Sequence, residues 1–176
     1  MNSTHFCWST LILSLFSTFK LVLSAGEEIA EEQTFLDDQI VLPQVLLNAS
    51  GEQVAKDVLG KKYVGLYFSA SWCGPCRKFT PKLIEFRNKF SEEFEVILVG
   101  GDGSAKAQAN YMKKYSMPWL AIENQSAEAK HATKVAKVEF IPYLVVLDEK
   151  GEIITKDGKS DILNIGEGAL EHWKDL

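Results

Sequence analysis

Histidine and cysteine are scarce in this chain of 176 residues, three of each. Three cysteines, Cys7, Cys73 and Cys76, are too few for a disulfide scaffold. A zinc site built on Cys73 and Cys76 would need two more ligands, and His131 and His172 form no His-x₃₋₅-His pair, so no metal is expected. Five prolines and 12 glycines exclude collagen-like and low-complexity chains. Basic residues are outnumbered: 19 Lys and Arg against 24 Asp and Glu give a net charge of −5, a field that repels phosphate backbones. No nucleic-acid partner is expected. A dinucleotide fingerprint is absent too, because Gly100-Gly101-Asp102-Gly103 lacks the G-x-G-x-x-G register, so no bound cofactor is expected. What is present is a globular composition, 46% hydrophobic and 24% charged, in a chain long enough to bury a core without staples.

Residues 6–23, FCWSTLILSLFSTFKLVL, form a long apolar run that gives way to the acidic stretch GEEIAEEQTFLDD. The run reads as a secretory signal peptide, with the small residues Val22 and Ser24 spaced for cleavage after Ser24, and Leu23 and Ala25 offering a cut one residue later. Against this, no Lys or Arg precedes the run and Lys20 lies within it. The alternatives are an uncleaved membrane anchor, which needs about 20 apolar residues, or a leader that is no signal. The expected location is accordingly the secretory pathway or the exterior, with membrane-anchored and cytoplasmic placements as alternatives. Contact with a membrane is expected only if the leader is uncleaved. Cleavage would remove Cys7 and leave Cys73 and Cys76 as the remaining cysteines. In a secretory pathway, Asn48-Ala49-Ser50 and Asn124-Gln125-Ser126 are glycan acceptors, or else simply polar turns. The organisation is thus a leader over 1–24, an acidic extension over 25–39 and a folded domain over 40–176.

Periodicity predicts a short strand region over 40–47 and a buried strand over 62–69 that runs into Trp72-Cys73-Gly74-Pro75-Cys76. Phe79, Leu83, Phe86 and Phe90 recur at helical spacing, which predicts an amphipathic helix over 74–90 opening at the cysteines. Beyond it come a strand over 94–99, helices over 104–115 and 127–137, a hairpin of 143–147 with 152–155, and a final helix over 166–174. Alternating strands and helices describe an α/β layered domain around a mixed sheet.

Two thiols at the start of a helix are biased unequally. The helix N-terminus offers partial positive charge and unpaired N–H groups that stabilise a thiolate on Cys73, and Arg77 and Lys78 add charge nearby. Disulfide exchange needs an attacking thiolate and a second thiol that resolves the mixed disulfide, which makes Cys73 the nucleophile and Cys76 the resolving thiol. Pro75 suits the first helical turn, where its missing N–H costs nothing. Gly74 leaves room for a partner chain.

These residues resemble the thioredoxin superfamily: WCGPC closes a strand and opens a helix that contains Pro81. Within it, YFSASWCGPCRKFTPKLIEF, FEVILVGGDGS, YSMPWLAI, FIPYLVVLDEKGEIIT and the closing DGK…HW are similar, in order and spacing, to the tryparedoxin and nucleoredoxin branch over residues 45–174. The resemblance implies a thioredoxin-like fold, a central mixed sheet flanked by helices, and a protein-disulfide reductase acting on disulfide-bearing proteins with an external dithiol or reductase as donor. It implies that Pro142, after Ile141, is the family's cis-proline facing the cysteines. The substrate groove would then comprise Trp72, Gly74, Pro75, Ile141 and Pro142, with Trp119 as a further wall or, equally, a core residue. Thioredoxin's buried Asp is replaced here by Tyr67, so proton transfer at Cys76 falls to Tyr67, a water or a nearby acid. A second function class, an interaction protein with little catalytic role, remains beside the enzyme.

Overall fold

The computed structural model describes residues 39–60 and 62–176, and residues Gln39–Leu176 form one compact unit. The leader and all of the acidic extension before residue 39 lie outside the described residues.

Seven strands make one sheet: β1 (Val45–Leu47), β2 (Gln53–Ala55), β3 (Tyr63–Ser69), β4 (Phe94–Gly100), β5 (Leu120–Ala121), β6 (Tyr143–Leu147) and β7 (Ile153–Thr155), in the spatial order β2-β1-β5-β4-β3-β6-β7. β3, β4 and β5 run parallel, while the pairings of β1 with β2 and β5, of β6 with β3, and of β7 with β6 are antiparallel. The helices are α1 (Gly74–Lys89), α2 (Ala105–Lys114), α3 (Ala127–Ala136), α4 (Gly158–Ile165) and α5 (Ala169–Lys174). This is the mixed-sheet α/β fold expected.

β3 lies at the centre, and from Val64 onward all its residues are buried. Period-two alternation sends Val64, Leu66 and Phe68 to a core shared with Ile97, Val99 and the alanines of α3, and Tyr67 to a core shared with α1, α2 and α5. Gly65 is required by close approach, since a Cβ there would stand 2.7 Å from Cζ of Phe94. The core on that face closes with Trp173, whose ring meets Phe86 edge-on and Phe94 at a tilt, each with centres 5.4 Å apart, and whose Nε1 donates to Asp161 at 2.8 Å.

α2 and α3 open on side-chain caps, Ser104 Oγ accepting from the N–H of Ala107 and Ser126 Oγ from that of Ala129. Several sequence expectations change. The strand region over 40–47 shortens to Val45–Leu47 because Pro43 has no N–H for a ladder. β2 and the two-residue β5 are additions; β5 exists because Leu120 and Ala121 pair with Ile97 and Leu98, a tertiary cause that periodicity does not carry. α4 is also an addition, since it buries only Gly158 and Ile162 and so shows little apolar repeat. The final helix starts at Ala169, after a 3₁₀ turn over Gly166–Gly168, because Gly166 takes φ +62° and breaks the run.

Candidate active site

β3 delivers the chain to the loop Ala70–Trp72, and the loop following β4 fixes it. Asp102, buried, accepts from Ser71 twice, from the N–H at 3.1 Å and from Oγ at 2.5 Å. Gly101 N–H donates to the carbonyl of Ser69 at 2.8 Å, and the Trp72 indole donates to the carbonyl of Gly101 at 3.3 Å. The sequence reading passed Asp102 over; its signal was an acid in a glycine-rich turn with no phosphate motif to explain it.

Cys73 is the N-cap of α1, with extended backbone at φ −80° and ψ 110°. Its sulfur accepts the N–H of Cys76 at 3.2 Å, so the helix end meets the sulfur itself. The two cysteines form a disulfide with Cα atoms 5.2 Å apart. Pro75 occupies the first turn and is exposed, and Gly74 is half-buried, with Arg77 Nη2 4.0 Å from its Cβ position. Opposite, the Ile141–Pro142 bond is cis, and the Ile141 carbonyl oxygen lies 3.7 Å from the Cys73 sulfur. Cys73, Cys76, Ile141 and Pro142 are thus brought together. Trp72 flanks them at 65% exposure, and so does Phe140 at 61%. Phe140 was missed; an aromatic directly before the Ile-Pro pair was the available signal.

Trp119 is not a wall of the groove. It is buried, packs edge-on against Tyr67 with ring centres 6.2 Å apart, and belongs to the core beneath the sheet. Its ring is held there by tertiary packing, which settles the two readings in favour of the core.

Tyr67 lies directly beneath the resolving cysteine. Its hydroxyl lies 3.2 Å from the Cys76 carbonyl, to which it donates, and 3.0 Å from Thr80 Oγ1. Burial pushes its ionisation far above the ordinary tyrosine range. Thr80 Oγ1 also reaches the Cys76 carbonyl, at 2.9 Å, and joins Tyr111 and Ser69 in a chain of buried hydroxyls with 3.0 Å spacings. Tyr67 therefore braces the backbone of the resolving cysteine.

The two sequons differ. Asn48 makes a turn, its Oδ1 accepting from the N–H groups of Ser50 and Glu52. Asn124 is committed through the very nitrogen a glycan would use, since Nδ2 donates to the carbonyls of Gly100 and Asp102 at 3.2 and 3.0 Å. Asn124 accordingly ties the end of β4 to the segment before α3. Among the described residues no group of three His, Cys, Asp or Glu could hold a metal ion.

In the reduced protein the sulfur at the helix end should react and the one beneath it should not. Alkylation with iodoacetamide followed by peptide mass mapping is expected to label Cys73 first and Cys76 slowly, because Cys76 is fully buried. Equal rates would remove the assignment of roles.

This constellation, a Cys-x-x-Cys pair at a helix start beside a cis-proline at one end of a mixed sheet, is that of a thiol–disulfide oxidoreductase. The thioredoxin-like family model matches residues 60–153, and the chain belongs to that family. It is 40% identical over 127 residues to probable nucleoredoxin 1 of Arabidopsis thaliana, covering 70% of this chain but 22% of that protein. It is 39% identical over 132 residues to tryparedoxin of Trypanosoma brucei brucei, covering 73% of this chain and 90% of the relative. A solved tryparedoxin from Trypanosoma brucei superposes with a TM-score of 0.66 at 38% identity, over 75% of this chain and 94% of that one. The chain spans less than a third of the length of the nucleoredoxins it matches.

Proposed function

We propose that the chain is a protein-disulfide reductase that cycles between the Cys73–Cys76 dithiol and the disulfide. The observation that carries this reading is the Cys73 sulfur, set 3.2 Å from the Cys76 N–H at the helix start and 3.7 Å from the Ile141 carbonyl oxygen. In the forward direction the Cys73 thiolate attacks one sulfur of a substrate disulfide; the substrate S–S bond breaks and its other sulfur leaves as a thiolate. Cys76 then gives up its proton and attacks the Cys73 sulfur, which releases the second substrate thiolate. The substrate gains two electrons and takes up two protons, and this chain is left oxidised. An external dithiol or reductase restores it. Similarity to tryparedoxin, whose length the chain nearly spans, supports action on protein disulfides.

Direction is set by how strongly the reduced thiolate is stabilised, and Gly74-Pro75 places no histidine between the cysteines to stabilise it further. A potential nearer the thioredoxin value of about −270 mV than the protein disulfide isomerase value of about −180 mV is expected, a gap worth roughly 4 kcal/mol for two electrons. Equilibration in glutathione buffers measures it, and a value at or above about −200 mV would make the chain an oxidase or isomerase instead. The apolar run over 6–23 supports residence in the secretory pathway, and sequencing the mature N-terminus tests that. A second reading, an interaction module, is favoured by the exposed pair Trp72 and Phe140 beside the cysteines.

A further inference from the structure

Positive charge is distributed unevenly in this acidic chain. α2 carries Lys106, Lys113 and Lys114 with no acidic residue, and α1 carries Arg77, Lys78 and Lys82 with no acid before Glu85. All six are exposed. The ion pairs among the described residues engage Arg87, Lys89 and Lys174, and none of these six. Between the two helices runs a groove of about 260 Å³, lined by Ser71, Arg77, Asn110, Tyr111, Lys114 and Tyr115. Asn110, Tyr111 and Lys114 share one face of α2 through their helical spacing. The lining holds two cations, a carboxamide, hydroxyls and no carboxylate.

The groove begins at the active-site loop. Ser71 stands two residues before Cys73, and Arg77 directly follows Cys76. The Arg77 guanidinium folds back over this loop: Nη1 lies 3.4 Å from the Ser71 carbonyl, and Nη2 lies 4.0 Å from where a Cβ on Gly74 would be. A group seated in the groove therefore lies beside the loop that carries Cys73. An extended polyanion is opposed by the net charge of −5.

We propose that this groove is a specificity site for an acidic side chain of the substrate protein, an Asp or Glu carried close to the disulfide that Cys73 attacks. The inference rests on the oxidoreductase reading and deepens it. Arg77 and Lys114 hold the carboxylate from the two walls, with Asn110 as a further donor. The site selects protein disulfides flanked by acids and passes over those flanked by lysine or arginine.

Two disulfide-bridged peptides test this, one with glutamates flanking the bridge and one with glutamines in their place, each mixed with reduced protein in single turnover at low salt. The glutamate peptide is expected to react about three- to tenfold faster, the range two exposed charge contacts supply. That advantage should shrink at high salt. Lys114→Gln should remove most of it, and Lys114→Arg should restore it. Equal rates for the two peptides would overturn the proposal, and so would a preference that survives Lys114→Gln undiminished. If the reduced protein turned over neither peptide, the oxidoreductase reading would fail on its own. Titration of the oxidised protein with serine analogues of both peptides then decides the groove: tighter binding of the glutamate form that Lys114→Gln abolishes supports it, and indistinguishable binding overturns it.

Discussion

Cys73→Ser is expected to lower disulfide reduction by at least about 10³-fold, to the background of uncatalysed exchange. The hydroxyl that replaces the thiol is hardly ionised at neutral pH, so the helix end that stabilises a thiolate has nothing to act upon. Cys76→Ser separates the steps. Its Cys73 can still attack, but no thiol resolves the product, so a one-to-one mixed disulfide through Cys73 should accumulate and be visible by non-reducing electrophoresis and mass spectrometry. A Cys73→Ser protein that reduces insulin normally would end the enzymatic reading. Retention of full biological activity by that variant, with reduction lost, would favour the interaction module built on Trp72 and Phe140.

The largest effect on stability is expected far from the cysteines. Trp173 is buried and joins α5 to α1 and β4 through Phe86 and Phe94, with its indole nitrogen on Asp161. Trp173→Ala removes the ring and empties that space, at a cost of about 3–5 kcal/mol. For a domain of this size that lowers Tm by roughly 10–15 °C. Thermal unfolding followed by circular dichroism measures it, and Trp173→Phe should recover part of the loss. Because the ring touches nothing at the active site, the turnover of the remaining folded molecules should not change. A variant with unaltered Tm would show that this corner contributes little to the core.

The central strands and the helices that follow them were legible because their signals are local and redundant. β3 is an apolar run ended by the cysteine motif, and α1 repeats Phe79, Leu83 and Phe86 down one face. The Cys-x-x-Cys pair was legible as a short motif at an element boundary, whereas the cis bond at Ile141-Pro142 was legible only through the family resemblance, since an X-Pro pair alone does not fix cis geometry. What was not legible depends on distant partners. The pairing of β5 with β4, the burial of Trp119 against Tyr67, and the grip of Asp102 on Ser71 across 31 positions all arise from folding rather than from neighbours in sequence. Tyr67 shows the boundary well. The resemblance located it beneath the cysteines, but only the folded structure shows the bonds of its hydroxyl to Cys76 and Thr80.

Asn124 carries a consequence for timing. Its amide nitrogen ties the loop after β4, at Gly100 and Asp102, to the segment leading into α3, and a sugar on that nitrogen would take the place of one of its two hydrogens. Glycan transfer and folding therefore compete for a single atom. A chain that folds first closes the acceptor, whereas a chain modified first must assemble the same loop with fewer donors and a bulky group at its edge. In any compartment where transfer takes place, the pace at which residues 94–126 come together decides the fate of this sequon, so its occupancy would register folding speed rather than surface exposure.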